Sequence, residues 1–190
     1  MSRQIIGCLS LGALSTLNQK KQVTLLVPDT QAVNMVAMES DTNKNSLLPS
    51  GFQPYGYEDP YEDYVGPFGF RAVDGKISFA FQSDSRHRNT GETIHGGMLM
   101  SFADYVLCLS AIWEQPNEKC VTVSCNCEFV AAGRPGDLIE ATGEVVRRAR
   151  SLTFGRGQIF TGDRVLLTFS GIVKRIHLGN SQGGQARAIG

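Results

Sequence analysis

From Phe68 onward the chain alternates apolar and polar positions with the period of two that a half-buried strand requires. GFRAV and KISFAFQ form the first such pair, separated by Asp74-Gly75, a dipeptide that favours the two-residue hairpin turn. The polar stretch SDSRHRNTGET follows, and then the period changes. From Gly96 to Trp113 nearly every position is apolar, which predicts a buried helix, and Pro116 fits its end. Beyond it VTVSCNCEFV alternates again: Val121, Val123, Cys125, Cys127 and Phe129 fall on the face expected to be buried, Thr122, Ser124, Asn126 and Glu128 on the other. LIEATGEVVRR, TFGRGQIFT and RVLLTFSGIVKRI supply three more strands, broken at Pro135-Gly136-Asp137, at the turn from Arg148 to Ser151 and at Gly162-Asp163.

Two strands, one buried helix and four longer strands is the wrong order for alternating parallel units, so the expected class is α+β, with an antiparallel sheet wrapped around one long central helix. The helix is covered on one side only, and long strand edges invite pairing. A second copy of the chain is therefore expected against the free face or edge, making a homodimer the minimum assembly.

Ahead of this core, PYGYEDPYEDYVGPFGF mixes acids, aromatics and three prolines, and is expected to lie extended across a surface instead of forming a long helix. QAVNMVAME places Ala32, Val33, Val36 and Ala37 at helical spacing, enough for one or two turns. SDTNKNSLLPSG has linker composition, and the tail LGNSQGGQARAIG is expected to be disordered. The resulting division is an N-terminal extension over 1–54, partly linker, a domain over 55–177, and a tail over 178–190.

Composition narrows the partners. Eighteen basic and eighteen acidic side chains leave no net charge on the 190 residues, which argues against nucleic acid and anionic membranes and for a small molecule or a second copy. No run approaches the roughly 18 apolar residues a spanning helix needs. Five cysteines form no regularly spaced framework, so a reducing, cytoplasmic setting is expected. Arg3 followed by IIGCLSLGAL is too short and too diluted by glycine and serine for a secretory leader.

The chemistry concentrates in NTGETIHGGMLMSFADYV, residues 89–106. Gly96 and Gly97 open the predicted helix, where glycine costs stability unless something approaches the outward-pointing N–H groups of the first turn. Those amides and the helix dipole make an oxyanion site, or else the glycines serve a tight loop-to-helix turn. Asp104 sits among Met98, Leu99, Phe102, Ala103, Val106 and Leu107, and an ionised carboxylate in such company is either used or satisfied structurally. Eight residues along a helix span about 12 Å, too far for both features to touch one reacting centre in the same chain. Two antiparallel helices across a two-fold axis bring them together in two equivalent sites. Elsewhere, Arg147, Arg148 and Arg150, with Arg156 on the next strand, suit an anionic phosphate handle or a solvated strand end. Cys125 and Cys127 fit small buried hydrophobes, and His87, His95 and His177 lack metal-ligand spacing, so no metal or cofactor is expected.

NTGETIHGG followed by FADY resembles the signature of the hotdog-fold acyl-CoA thioesterases of the phenylacetate-pathway, PaaI-like type, and the likeness continues through VTVSCNCEFVAAGRPGD to cover roughly residues 66 to 176. The resemblance implies a helical sausage in an antiparallel sheet, dimers often paired into tetramers, and hydrolysis of acyl-CoA. It implies that Asp104 is the general base on water or a nucleophile acting through an anhydride. Gly96 would supply the N–H that polarises the thioester carbonyl, and Gly97 would allow close approach of the substrate. Asn89 would hold the water or the carbonyl, His95 would order the turn, and Thr122 would be the small hydroxyl assisting the carboxylate. The phosphates of coenzyme A are the handle that Arg147, Arg148 and Arg150 could hold, with a solvated strand end still the alternative. Two rival classes share the fold: a non-catalytic acyl-CoA sensor, which would not need Asp104 beside a helix start, and an enoyl-CoA hydratase or dehydratase, which commonly needs a pocket histidine.

Overall fold

Asp74 and Gly75 both take positive φ, 50° and 72°, the backbone that the tightest hairpin turns demand. They close β1 (Gly69–Val73) onto β2 (Lys76–Gln82). The computed structural model describes residues 47–179. The helical spacing at Ala32–Ala37, the stretch after Arg3 with its Cys8, and residues 180–190 of the tail lie outside the described residues.

Four longer strands follow the helix: β3 (Glu118–Phe129), β4 (Leu138–Arg148), β5 (Leu152–Thr161) and β6 (Arg164–His177). All pairings are antiparallel, in one six-stranded sheet ordered β1-β2-β4-β5-β6-β3. This is the antiparallel wrap that the order of elements implies and the hotdog arrangement that the resemblance implies, and β1 and β3 are its edges.

The PYGYEDPYEDYVGPFGF stretch differs from expectation, because its prolines bound a short helix instead of keeping the chain extended. In α1 (Pro60–Val65) the Asp59 carboxylate caps the start, accepting from the N–H groups of Tyr61 at 3.1 Å and Glu62 at 3.0 Å. Pro60 needs no partner at the first position, and Gly66 with Pro67 ends the turn. Chain contacts with the sheet also begin before residue 55, where Gln53 pairs with Phe70.

The central helix α2 (Gly96–Ile112) packs onto the sheet where β4, β5 and β6 carry glycines. A Cβ added at Gly143 would meet Val106 at 2.8 Å, and one at Gly171 would meet Leu107 at 2.7 Å. The sheet is thus dished to receive the helix. Phe79, Phe81, Phe102, Ile139, Ile159 and Leu167 are fully buried between the layers, each contributing roughly 2–3 kcal/mol of transfer free energy. That load fixes the rotation of α2 about its axis, which decides where Asp104 points.

Candidate functional site

The rotation leaves one stripe of α2 off the sheet: Gly97 and Met100 are exposed, and Ser101, Asp104 and Cys108 are half-buried, at helical spacing. Asp104 therefore does not sit inside the apolar core that its sequence neighbours suggest. It lies on the open stripe, roofed by α1 and flanked by β3.

Its partner arrives through an irregularity. The pairing of β3 with β6 shifts between Thr122 and Ser124, so Val123 is an extra residue and the inward face changes parity there. Thr122 opposes the buried Val173, while Cys125 and Cys127 oppose Gly171 and Phe169. The uniform alternation expected along this strand is thereby corrected: Val121 and Val123 are 49% and 58% exposed, and Thr122 points at the helix. Its hydroxyl donates to Asp104 Oδ1 at 2.6 Å. With that proton committed, the thiol of Cys108 is left to donate to Thr122 Oγ1, 3.2 Å away. Among the described residues, the cysteines are all free thiols and no His, Cys, Asp or Glu cluster could hold a metal.

Asp104 and Thr122 line a cleft of about 520 Å³ together with Glu62 of α1, Tyr105 and Cys108 of α2, and Tyr55, Tyr57 and Lys119. The cleft is acidic. Burial, then Asp59, Asp104 and Asp63, push the Glu62 carboxyl up to about 7. Burial, with Tyr57 and Cys120, pushes Tyr55 up to about 12.

The helix start is built separately. His95 is the N-cap, and its Nδ1 accepts from the Gly97 N–H at 2.9 Å; its carbonyl takes the N–H groups of Met98 and Leu99. Only the Gly96 N–H is left without a partner among the described residues. Phe129 lies on the side-chain side of this glycine, where a Cβ would come 3.0 Å from the ring. Replacing His95 with Ala is expected to cost about 1 kcal/mol of stability. Thermal unfolding should show the loss, and His95→Asn, which also caps, should restore it.

Asn89 spends most of its carboxamide on its own loop. Oδ1 accepts from the N–H groups of Gly91 at 2.8 Å and Thr93 at 3.2 Å, and Nδ2 donates to Thr93 Oγ1 at 2.9 Å. His87, read from the sequence only as lacking metal-ligand spacing, anchors this region. It is buried, its Nδ1 accepts from the Asp84 N–H, and its Nε2 lies 2.9 Å from the Val65 carbonyl. Burial lowers its affinity for a second proton. The Asp84-x-x-His87 spacing, a capping box with histidine in the place of glutamate, was the signal.

The structure thus joins Asp104 to Thr122 and sets His95, Gly96 and Gly97 together at the helix start, with Asn89 bonded only within the loop before it. Within one chain Asp104 lines a cleft that none of these four residues lines. None of the arginines lines the Asp104 cleft. Arg148 Nη1 donates to the Ala111 carbonyl at 2.6 Å and Arg156 pairs with Glu144, whereas Arg147 and Arg150 are exposed.

Residues 91–168 match the family model of the thioesterase superfamily. A curated protein of Pseudomonas aeruginosa, PA0474, named provisionally as an esterase, is 32% identical over 127 residues, 66% of this chain and 95% of the relative. The fold is shared with the PaaI protein from the phenylacetic acid degradation operon of E. coli (TM-score 0.55, 21% identity, 63% of this chain and 86% of that one). It is also shared with the BH2602 protein of Bacillus halodurans, solved with CoA (TM-score 0.59, 15% identity, 65% and 82%).

Proposed function

The chain belongs to the thioesterase superfamily, and from that membership we propose that it hydrolyses acyl-CoA thioesters, with Asp104 of one protomer and the Gly96 amide of its partner acting on one carbonyl. The observation that carries this reading is the pair of complementary groups that one chain keeps apart: a carboxylate held by Thr122 in the cleft and a helix-start N–H with no acceptor. Antiparallel α2 helices across a two-fold axis would bring them within reach of the same thioester. The exposed Gly97 and Met100 at the start of α2 and the apolar edge of β3, with Val121, Val123 and Phe129 exposed, suit such a contact.

In this reading residues 55–177 form the catalytic domain and act in the cytoplasm, where the free cysteines would stay reduced. Asp104 takes a proton from water, or attacks directly, and the carbonyl oxygen gathers charge against the partner's Gly96 N–H. That donor stabilises the oxyanion more than the ground-state carbonyl, which is the condition for acceleration. Thr122 fixes the carboxylate rotamer, Asn89 and His95 hold the loop and helix start in place, and Gly97 keeps the approach open. Arg147 and Arg150 present forked donors to coenzyme A phosphates, with Arg148 beside them bracing the end of α2.

The test is thiol release from a panel of acyl-CoAs. Catalytic turnover supports hydrolysis, binding without thiol release would favour the sensor, and enoyl-CoA consumption without thiol would favour the hydratase. In the same assay Arg147→Ala with Arg150→Ala is expected to raise KM for acyl-CoA about five- to tenfold, as two exposed charge contacts warrant. The KM for the matching N-acetylcysteamine thioester, which has no phosphates, should not move.

A further inference from the structure

We propose that Glu62 is the acid of the reaction, handing the proton of its carboxyl group to the departing sulfur in the cleft where Asp104 activates the attacking group. This rests on the assignment of Asp104 above, and it adds a residue from outside the stretch matched by the family model, which begins at residue 91.

Three observations place Glu62 there. It sits on α1, which is fixed over the open stripe of α2 by the Tyr61 hydroxyl, 2.8 Å from Ser101 Oγ. Its side chain lines the same cleft as Asp104 and Thr122. Tyr105 lines that cleft too, is only 4% exposed, and has a hydroxyl without a partner among the described residues. Burial, then the Glu62 and Tyr55 charges, push its phenol well above the usual range, which sets the Glu62 carboxyl close to Tyr105.

The surroundings keep Glu62 protonated. Asp59 and Asp63 flank it on α1, Asp104, Tyr105 and Cys108 face it from α2, and Cys120 and Lys119 come from β3. Tyr55 and Tyr57 complete the wall, with the Lys119 ammonium 5.8 Å over the Tyr57 ring. One cation against several carboxylates cannot favour a further negative charge, and burial adds to the effect, which is why the carboxyl holds its proton to about 7. A neutral acid beside an ionised base is the division of labour that two carboxylates in different environments adopt.

The step balances. Asp104 takes one proton from water as the oxygen–carbon bond forms, and the carbonyl electron pair moves to oxygen. Collapse returns that pair, the carbon–sulfur bond breaks, and sulfur takes the Glu62 proton. The proton on Asp104 then passes to Glu62 through solvent, restoring both groups. On the anhydride route Glu62 protonates the same thiolate, and the water that opens the anhydride returns a proton to Glu62 through solvent.

The experiment compares one acyl group carried on coenzyme A and on thiophenol, in the full chain and its Glu62→Gln variant. An alkyl thiolate benefits from protonation as it leaves and an aryl thiolate does not. The variant is expected to lose about 100-fold in kcat on the CoA ester, to stay within twofold on the aryl ester, and to lack the fall in kcat that the parent shows as pH rises through about 7. Retained aryl-ester turnover also shows that the variant is folded. Equal losses on both esters, or none on either, overturn the role of Glu62. Full activity of Asp104→Asn on both esters would instead overturn the reading on which it rests.

Discussion

Asp104→Asn will lower kcat by about 10³- to 10⁴-fold while KM stays nearly constant and the fold is preserved. The substitution removes charge without removing shape. Thr122 Oγ1, which donates to Asp104 Oδ1 at 2.6 Å, finds a carboxamide oxygen in the same place, so the side chain keeps its rotamer and β3 keeps its contact with α2. An amide cannot take a proton from water or attack a thioester at neutral pH, so either mechanism loses its active group. Stability provides the control: removing a half-buried anion from an acidic cleft relieves repulsion, and the melting temperature should hold or rise. Single-turnover thiol release with the variant measures the loss. A variant that kept more than about a tenth of the parent kcat would exclude both roles, because positioned acid–base groups supply about 10²- to 10⁴-fold.

The repeating parts of this fold were legible because local rules and global packing agree there. Asp74-Gly75 accepts positive φ at both positions and sets the β1–β2 hairpin, and the long apolar run at Gly96–Ile112 had to be interior. What escaped were departures from periodicity. Val123 adds one residue to β3 and reverses the inward face on its N-terminal side, so a strict period of two put Thr122 on the wrong face and buried two valines that are exposed. The helix looked apolar all round because Met100 and the small residues Gly97, Ser101 and Cys108 share a stripe with Asp104; only packing against the strand glycines shows that this stripe is the open one. Prolines in the aromatic segment bound α1 because Asp59 caps it, and this carried Glu62 into the site unnoticed. Long-range partners have no sequence signal of their own. Nothing near Arg148 foretells that its guanidinium would reach the Ala111 carbonyl.

Mixing two inactive variants will restore activity. Gly96→Val places a branched side chain against the Phe129 ring, where even a Cβ would come to 3.0 Å, and screens the one unpartnered N–H of the helix start. Loss of an oxyanion donor costs about 10²- to 10³-fold. If each site takes its carboxylate from one protomer and its donor from the other, a dimer of Asp104→Asn with Gly96→Val concentrates both lesions in one site and leaves the second intact. Random exchange makes half the dimers mixed, so activity should climb from below a hundredth to about one quarter of the parent value. The time course should follow subunit exchange as read by fluorescence transfer between labelled protomers. A self-contained site predicts the opposite, with activity fixed at the residual level however complete the exchange. The two outcomes differ by more than tenfold, and the difference does not depend on which acyl group is chosen, because acyl preference multiplies parent and mixture alike.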